Sequence, residues 1–405
     1  MELPQADRVG RLSNESAFDV LVRARALEAH GRDVIHLEIG EPDFATPEHI
    51  VEAGVKALRD GYTHYGPPAG LPALREAIAA DVARTRGIPV RADQVIVTPG
   101  AKPIMFFSIL ATIEAGDEVL LPDPGFPIYA SLVNFVGGVP VPLALRERRG
   151  FRLDVAELEA KLSPRSRMLI LNSPHNPCGS MLTQDDLARI AELVRDRSLV
   201  VLSDEIYGRM TYGHARHSIA SQDGMAGRTI ILDGFSKTYA MTGWRIGYGV
   251  FPGKLAEQID LLMTNSNSCT ATFTQIAGLA ALTGPQEPVD AMMAQFAERR
   301  ARVVEGLNAI PGWQCLAPDG AFYAFPNVGQ LGDSSRALAD YFLQEAGVAL
   351  LHGVSFGAAG EGYLRLSYAN SIANLELAMQ RLADATARLQ LGGRGPGSRG
   401  AGEQG

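Results

Sequence analysis

The feature that most constrains the fold is an alternation of short apolar runs with helix-like runs between about Ala45 and Gly284. The apolar runs are rich in β-branched residues, and several precede stretches with helical spacing of apolar side chains. They read QVIVTP, DEVLLPD, RMLILNSP, SLVVLSDE and RTIILDGF. Consecutive apolar positions are typical of strands that helices cover on both faces. The pattern therefore predicts a largely parallel, doubly wound α/β sheet.

From about Pro285 the pattern changes to a long helix, a strand pair, a helix, and a final strand and helix after Gly362. The helix candidates read PVDAMMAQFAERRARVVEGLNA and RALADYFLQEA, and the strand candidates GWQCL and GAFYAFPN. This change indicates a second, smaller α/β domain. We expect four segments: an N-terminal arm that forms part of the small domain (1–45), a large domain (46–284), a small C-terminal domain (285–391) and a glycine-rich, disordered tail (392–405).

The composition excludes several classes of protein. A net charge of −8 with scattered arginines argues against a nucleic-acid surface. No uncharged apolar stretch reaches the roughly 18 residues of a membrane span, and the N-terminal residues lack the layout of a signal peptide. The 3 cysteines lack metal-ligand spacing and suggest ordinary thiols. We therefore expect a cytoplasmic protein without nucleic-acid, membrane or metal partners.

Polar residues follow the predicted strands at the points where these strands end. PGAKP follows VIVT, SPHNPCG follows LILN, Asp204 follows LVVLS, and GFSK follows TIILD. In an open parallel sheet, ligands bind beyond the carboxyl ends of the strands. These groups should therefore converge on one rim of the sheet.

The lysine of GFSK, Lys237, is one of only 5 lysines among the 37 basic residues. Lysine can lose its proton and act as an amine nucleophile, whereas arginine cannot. Gly100, Ala101 and Lys102 precede a proline and would present backbone N–H groups at a helix N-terminus, which favours an anion. The sequence therefore predicts a reactive amine close to an anion site.

Three further residues fit the same site. Ser236 and Arg245 would add a hydroxyl and a guanidinium to a phosphate. Asp204, at the end of a buried strand, needs a cationic partner. A phosphate site, an amine and a carboxylate together suggest pyridoxal phosphate. Taken singly, Asp204 could cap a helix, Asn176 could serve a turn, and Phe126 and Tyr207 could belong to the core.

At these residues the chain resembles the class I and II aminotransferases of fold type I, especially the bacterial aspartate aminotransferase-like subgroup. The similarity runs from about Leu12 to Leu389. The motifs that carry it are LEIGEPDFATPEHI, YTHYGPPAGLPALREAIA, VIVTPGAKP, LPDPGFPIY, NSPHNPCG, SDEIYGRMTY, FSKTYAMTGWRIGY and EGYLRLSYA. The resemblance implies a fold type I transferase, in which a large domain with a mostly parallel mixed sheet binds pyridoxal phosphate and a smaller α/β domain accompanies it.

The resemblance also implies a role for each matching residue. Lys237 would form the Schiff base with the cofactor, and Asp204 would pair with its ring nitrogen. The 3-oxygen would accept hydrogen bonds from Asn176 and Tyr207, and Phe126 would stack on the ring. The residues implied around the phosphate are Ala101, Lys102, Ser236 and Arg245, with Tyr65 reaching the phosphate of the neighbouring subunit.

On the substrate side, the resemblance implies that Arg365 grips the α-carboxylate and that Gly40 and Asn176 contact the substrate. The implied protein is a homodimeric, pyridoxal-phosphate-dependent aminotransferase of amino acid metabolism. It would move an amino group from an L-amino acid, with aspartate as the first donor to consider, to a 2-oxo acid such as 2-oxoglutarate by a ping-pong mechanism. Lys102 could bind a distal substrate carboxylate or serve only the phosphate.

Two alternatives remain beside this function. A β-lyase that uses the same cofactor would share the fold and these motifs. A ligand-sensing regulator with an aminotransferase-like domain would need a basic DNA-binding module before that domain. The roughly forty residues before GEPDF instead resemble the N-terminal arm of the family. A P-loop is excluded because Ser236 stands where that motif needs glycine.

Departures from the family pattern are confined to Cys178, His175 and Pro103, none of which removes a catalytic group. His175 could be a pH-sensitive residue behind the site, but we expect it, as a turn histidine, to be exposed. The resemblance further implies a cis peptide bond before Pro177.

Overall fold

The computed structural model of the protein describes residues 6–13, 16–332 and 334–391, so the tail predicted at 392–405 lies outside the described residues. The helices are α1 (Ser16–Ala29), α2 (Glu48–Arg59), α3 (Pro72–Arg86), α4 (Lys102–Thr112), α5 (Ile128–Val136), α6 (Val155–Lys161), α7 (Gln184–Val194), α8 (Leu255–Ser266), α9 (Thr272–Thr283), α10 (Glu287–Asn308), α11 (Ser335–Tyr341) and α12 (Ile372–Leu391). The strands are β1 (Ile35–His36), β2 (Val95–Thr98), β3 (Glu118–Asp123), β4 (Val139–Ala144), β5 (Ser166–Asn172), β6 (Val200–Asp204), β7 (Thr229–Gly234), β8 (Gly247–Val250), β9 (Tyr323–Ala324), β10 (Val348–Ala349), β11 (Leu351–His352) and β12 (Leu364–Ser367).

The main sheet has seven strands in the order β2-β8-β7-β6-β5-β3-β4. Strand β8 is antiparallel to both of its neighbours, and the other pairs are parallel. The prediction of a largely parallel α/β sheet is therefore confirmed, and the five quoted runs form β2, β3, β5, β6 and β7. Strand β4 was not predicted from the sequence, because it contains Pro140 and Pro142. It lies at the edge of the sheet, where the missing N–H donors of proline are tolerated.

Both faces of the sheet are buried, as the continuous apolar runs predict. Along β5, Ile170 packs into one apolar cluster, while Leu169 and Leu171 pack into another on the opposite face. Side chains alternate between the two faces of a strand, so this division means that helices cover both sides. The carboxyl ends of β2, β5, β6 and β7 lie along one edge of this sheet.

The later part of the chain contributes two small sheets and two long helices. Strands β11, β12 and β9 form an antiparallel sheet in that order, and β1 pairs in parallel with β10. The helix predicted after Pro285 is α10, which packs against α12. Within the described ranges, no helix combines the length and the apolar character needed to cross a bilayer.

Candidate active site

A cavity of about 430 Å³ lies beyond the carboxyl ends of β2, β5, β6 and β7. The predicted site residues that line it are Gly40, Ala101, Lys102, Phe126, Asn176, Asp204, Tyr207, Ser236, Lys237, Arg245 and Arg365. The exception is Tyr65, whose side chain lies outside the cavity and is 89% exposed. The rim of the sheet thus brings together residues that lie far apart in the sequence.

One end of the cavity is rich in hydrogen-bond donors. Helix α4 begins there at Lys102, and its N-cap residue, Ala101, makes no side-chain cap hydrogen bond. The N–H groups at the start of a helix have no intrahelical acceptors. Ser236 and Arg245 line the cavity beside it. Gly100 has φ +87°, and a Cβ at this position would lie 2.1 Å from Arg245 Nη2, so only glycine lets the guanidinium approach the backbone. These donors form a cradle that suits a phosphate.

Asp204 lies deep in the cavity, where it is only 5% exposed. Its Oδ2 accepts a hydrogen bond of 2.6 Å from the hydroxyl of Tyr129, and its Oδ1 accepts one of 3.2 Å from the N–H of Ile206. Burial raises the pKa of Asp204 to about 6, although both hydrogen bonds oppose the shift. A cation bound next to this carboxylate would favour its ionised form. The position therefore fits the protonated nitrogen of an aromatic ring.

Lys237 lies on the turn that follows β7. The turn is held by backbone hydrogen bonds from Tyr239 to Phe235 and from Met241 to Ser236, each 3.1 Å long. The amine of Lys237 lines the cavity and donates a hydrogen bond of 2.5 Å to the carbonyl oxygen of Gly40. The reactive group predicted from GFSK is thus directed into the same cavity as Asp204.

Close packing against Tyr323 requires a glycine at position 40. A Cβ at this position would lie 2.2 Å from the hydroxyl oxygen of Tyr323. That hydroxyl is 2.8 Å from the hydroxyl of Tyr207, and burial raises the pKa of Tyr207 well above its ordinary value. Tyr207 therefore stays protonated and can donate a hydrogen bond into the cavity.

Asn176 is tied to the main sheet through Asn172. The backbone N–H of Asn176 donates to Asn172 Oδ1 over 2.9 Å, and Asn172 Nδ2 donates to the carbonyl oxygen of Asp204 over 3.1 Å. The Asn176–Pro177 peptide bond is cis, as the resemblance implies. Asn176 and Asp204 are thus positioned as one unit.

Arg365, on β12, is 4% exposed and lines the cavity. Its guanidinium lies over the rings of Tyr323 and Phe356, with Cζ 4.5 Å and 5.1 Å from the two centroids. It donates to Asn176 Oδ1 over 3.3 Å and to the backbone carbonyl of Glu38. The planar fork of arginine matches a carboxylate, and here aromatic rings fix its orientation.

Among the cavity residues that the sequence analysis missed are Tyr129, Tyr323 and Asn172, each of which hydrogen-bonds a predicted site residue. Tyr129 follows Phe126 by three residues at the start of α5, and this spacing could have indicated a shared direction. Asn172 is the polar residue that ends an apolar strand, which is a signal of the same kind as that of Asp204. Tyr323 gave no signal, because an aromatic residue in an apolar run is ordinarily part of the core.

The prediction that His175 is exposed is wrong, because its side chain is only 3% exposed. The SPHNPCG loop folds back on itself, with hydrogen bonds between the backbones of His175 and Ser180 (2.9 Å) and of Gly179 and His175 (2.8 Å). The later segment 318–320 covers the loop, since Asp319 donates to Gly179 over 2.8 Å. Burial lowers the pKa of His175 to about 3, so the ring is neutral near pH 7.

The site as a whole combines a donor-rich cradle, a buried carboxylate, an amine and an oriented guanidinium. The first three groups suit a planar cofactor that carries a phosphate, a basic ring nitrogen and a carbonyl that an amine can attack. The guanidinium suits the carboxylate of a small acid bound beside that cofactor.

Comparisons with known proteins agree with this arrangement. The model of the family Aminotransferase class I and II matches residues 32–382. An aspartate aminotransferase of Geobacillus stearothermophilus is 39% identical over 384 residues, covering 93% of this chain and 97% of the relative. Aromatic-amino-acid aminotransferase 2 of Thermococcus litoralis is 41% identical over 353 residues, covering 86% and 90%. The crystal structure of the aspartate aminotransferase from Rhizobium meliloti has a TM-score of 0.92 at 35% identity, covering 96% of this chain and all of that chain.

Proposed function

The chain belongs to the class I and II aminotransferase family, and on this premise we propose that it binds pyridoxal phosphate and transfers the amino group of an aspartate-type L-amino acid to 2-oxoglutarate. That the protein is an aminotransferase follows from its family. The cofactor, the donor, the acceptor and the residue roles are the proposal. The observation that carries it is the convergence of Lys237, Asp204 and Arg365 on one cavity.

The cofactor-binding roles follow from the chemistry of the lining residues. The N–H groups of Ala101 and Lys102, the hydroxyl of Ser236 and the guanidinium of Arg245 would hold the phosphate. Asp204 would keep the ring nitrogen protonated. Remaining contacts to the ring would come from Phe126 by stacking, and from Asn176 and Tyr207 by hydrogen bonds to the 3-oxygen. When bound, pyridoxal phosphate supplies a sink for the electron pair left when the substrate's Cα–H bond breaks.

The residues of the substrate side would orient the reacting atom. Arg365 would bind the α-carboxylate through two parallel hydrogen bonds, and the backbone of Gly40 would contact the same substrate. Lys237 would hold the cofactor covalently in the resting protein and then, as a free amine, take the proton from Cα. In this proposal the domain at 46–284 binds the cofactor, and the segments around Gly40 and Arg365 belong to the smaller domain.

The choice of donor is supported by the names of the relatives and by charge. Relatives from Geobacillus stearothermophilus and Rhizobium meliloti are named as aspartate aminotransferases, and that from Thermococcus litoralis as an aromatic-amino-acid aminotransferase. The amine of Lys102 lines the cavity 5.6 Å from the centroid of the Phe126 ring. A cation at this place favours an acidic side chain on the donor, which supports aspartate as the first substrate to test.

The assembly that we propose is a homodimer, in which Tyr65 reaches the cofactor phosphate of the neighbouring subunit. The side chain of Tyr65 is 89% exposed in the isolated chain, and that of nearby Tyr62 is 41% exposed. Exposed tyrosines of this kind are typical of interfaces, where one end of the ring is apolar and the other is polar. Analytical ultracentrifugation of the wild-type protein and of Tyr65→Ala would measure the assembly and the contribution of this residue.

A coupled assay tests the reaction. Purified protein loaded with pyridoxal phosphate is mixed with 2-oxoglutarate and each member of a panel of L-amino acids, and glutamate and the product oxo acid are quantified. Formation of glutamate, fastest with aspartate, supports the proposal. Glutamate formed only with apolar donors would refute the aspartate assignment. Release of pyruvate and ammonia from cystathionine, without glutamate formation, would indicate a β-lyase.

A further inference from the structure

His36, at the end of β1, bridges two carboxylates from different parts of the chain. Its Nδ1 is 2.8 Å from Glu38 Oε1, and its Nε2 is 3.1 Å from Glu28 Oε1 on α1. The side chain of Glu38 is fully buried, whereas that of Glu28 is 42% exposed. None of the three side chains lines the cavity.

Two carboxylates, one at each ring nitrogen, favour a charged imidazole. A neutral ring carries one N–H and would direct the lone pair of its other nitrogen at a carboxylate oxygen. Only the imidazolium donates from both nitrogens. Burial lowers the pKa of His36, but the hydrogen bonds and charges of Glu38 and then Glu28 outweigh it, so the pKa is raised above its ordinary value.

Strand β10 and the side chain of Asn370 lie close to His36 and are uncharged. Strand β10 lies beside β1 with Val348 and Ala349, which are apolar. The neutral amide of Asn370 donates to the backbone carbonyl of His36 over 3.2 Å. Oε2 of Glu38 is buried without a hydrogen-bond partner in the part of the chain that the structure describes, and Oε1 is the oxygen that His36 contacts.

Both carboxylates belong to segments that reach the active-site cavity. The first turn of α1, the helix of Glu28, places Ala17 and Phe18 in the cavity wall. On the other side, the backbone carbonyl of Glu38 accepts a hydrogen bond from Arg365. Two residues later, the carbonyl of Gly40 accepts one from Lys237. The imidazolium therefore connects one wall of the cavity to the backbone that orients both cations.

We propose that His36 is a positioning residue that, as an imidazolium, clamps α1 to segment 38–40 and so holds Arg365 ready for the amino acid's carboxylate. This inference rests on the role proposed above for Arg365. The clamp is present while the imidazole is charged and is lost as the pH rises through the raised pKa of His36. Loss of the clamp weakens substrate binding rather than the chemical step.

Three variants test the clamp. His36→Gln keeps one donor and removes the charge. Glu28→Gln keeps the shape of the exposed carboxylate and leaves the buried pair intact, so it reports on the clamp if His36→Gln fails to fold. His30→Gln is the matched control, since His30 lies close to the end of α1 and its ring bonds only the nearby carbonyl of Ala26. Cofactor content is measured by absorbance in each holoprotein.

Steady-state kinetics give the first readout. We expect His36→Gln to raise the KM for the amino donor about tenfold, with kcat changed by less than about twofold. Between about pH 6 and about pH 10, kcat/KM of the wild type should decline on the alkaline side, and this decline should be lost in His36→Gln and retained in His30→Gln. A profile of His36→Gln that superimposes on that of the wild type would overturn the proposal. A joint loss of kcat and cofactor content would overturn it as well.

Hydrogen exchange gives a second readout that needs no turnover. After correction for the intrinsic pH dependence of exchange, amides of residues 17–29 in the holoprotein should exchange faster in His36→Gln and in Glu28→Gln than in His30→Gln. Equal exchange in all three variants would refute the clamp. A wild-type protein without bound cofactor and without transamination would refute the proposed function instead, and faster exchange in α1 would then still report a clamp.

Discussion

Two adjacent carboxylates at the end of β6 have opposite surroundings. Asp204 faces the active-site cavity and accepts hydrogen bonds from the Tyr129 hydroxyl and one backbone N–H. Glu205 faces the other side, where it pairs with the guanidinium groups of Arg86 (3.0 Å) and Arg216 (3.3 Å). Both residues are buried, at 5% and 2% exposure.

This difference supports the proposal that Glu205 serves the fold and Asp204 serves the active site. The charge of Glu205 is compensated within the protein, because both arginines and the hydroxyls of Ser203 and Ser218 direct their donors at it. The surroundings of Asp204 instead raise its pKa to about 6. A buried carboxylate with a raised pKa destabilises the folded state when it is ionised, until a cation binds next to it. Removing the charge of Glu205 should therefore destabilise the fold, whereas removing the charge of Asp204 should lower the activity.

The largest effect should follow from Glu205→Gln. Removing one partner of a buried ion-pair network leaves the remaining charges uncompensated, and we expect a loss of about 3–5 kcal/mol in the free energy of unfolding. Urea denaturation followed by circular dichroism would measure it. Asp204→Asn is the matched control, because it removes the neighbouring charge. If both variants lose the same stability, the distinction between the two acids fails.

Asp204→Asn should affect catalysis instead. Asparagine keeps the shape of the side chain, and its one amide oxygen can accept the hydrogen bond from Ile206 while its NH2 group donates to the Tyr129 hydroxyl oxygen. It cannot keep a ring nitrogen protonated. We expect kcat/KM to fall on the order of 10²–10³-fold, the size of losing one strong electrostatic group in an active site. Stopped-flow measurement of the first half-reaction would show the loss directly. Activity within about threefold of the wild type would contradict the role of Asp204.

The apoprotein should show how much the buried carboxylate of Asp204 destabilises the fold. The folded-state pKa of Asp204 is about 6, above the ordinary value, so the protonated form is favoured in the folded state. Its stabilising contribution is full below about pH 4 and is lost as the pH rises through about 6. At pH 7 we expect Asp204→Asn apoprotein to be more stable than wild-type apoprotein by on the order of 2–3 kcal/mol. The difference should shrink towards pH 4, and a constant difference would contradict the assignment.

Tyr129→Phe should give the smallest effect. The phenol donates to Asp204 and favours its ionised form, so its loss should weaken binding of a cationic ring by about tenfold. Titration of the apoprotein with pyridoxal phosphate would measure the change in affinity. Tyr341→Phe is the control, since its hydroxyl bonds the carbonyl of Ala385 far from the site. Equal affinities of the two variants would show that the Tyr129 hydroxyl does not tune Asp204.

The pair of carboxylates also shows what the sequence could predict. The run SLVVLSDE identified a buried strand and two acids at its end, and alternation along a strand places adjacent side chains on opposite sides. Which side holds the cavity depends on the loops that follow β2, β5 and β7. The strand pattern pointed to Asp204 as an acid that needs a cationic partner, and the family resemblance implied that this partner is a ring nitrogen.

The residues that were missed or wrongly described depend on distant partners. Tyr129 meets Asp204 across 75 positions, and Tyr323 meets Tyr207 across 116. His175 was predicted to be exposed because its loop is rich in turn residues, yet it is buried and lines a small cavity together with Phe151 and Leu153. Local sequence patterns carry no information about such contacts, whereas motifs at the ends of strands do indicate the site.

The central claim is that Lys237 is the amine that holds the cofactor, and borohydride reduction tests it most directly. Holoprotein is reduced, digested and analysed by mass spectrometry, with Lys102, the other lysine that lines the cavity, as the internal control. We expect a pyridoxyl group on the peptide that contains Lys237 and none on the peptide that contains Lys102. A pyridoxyl group on another lysine, or an unmodified Lys237, would contradict it.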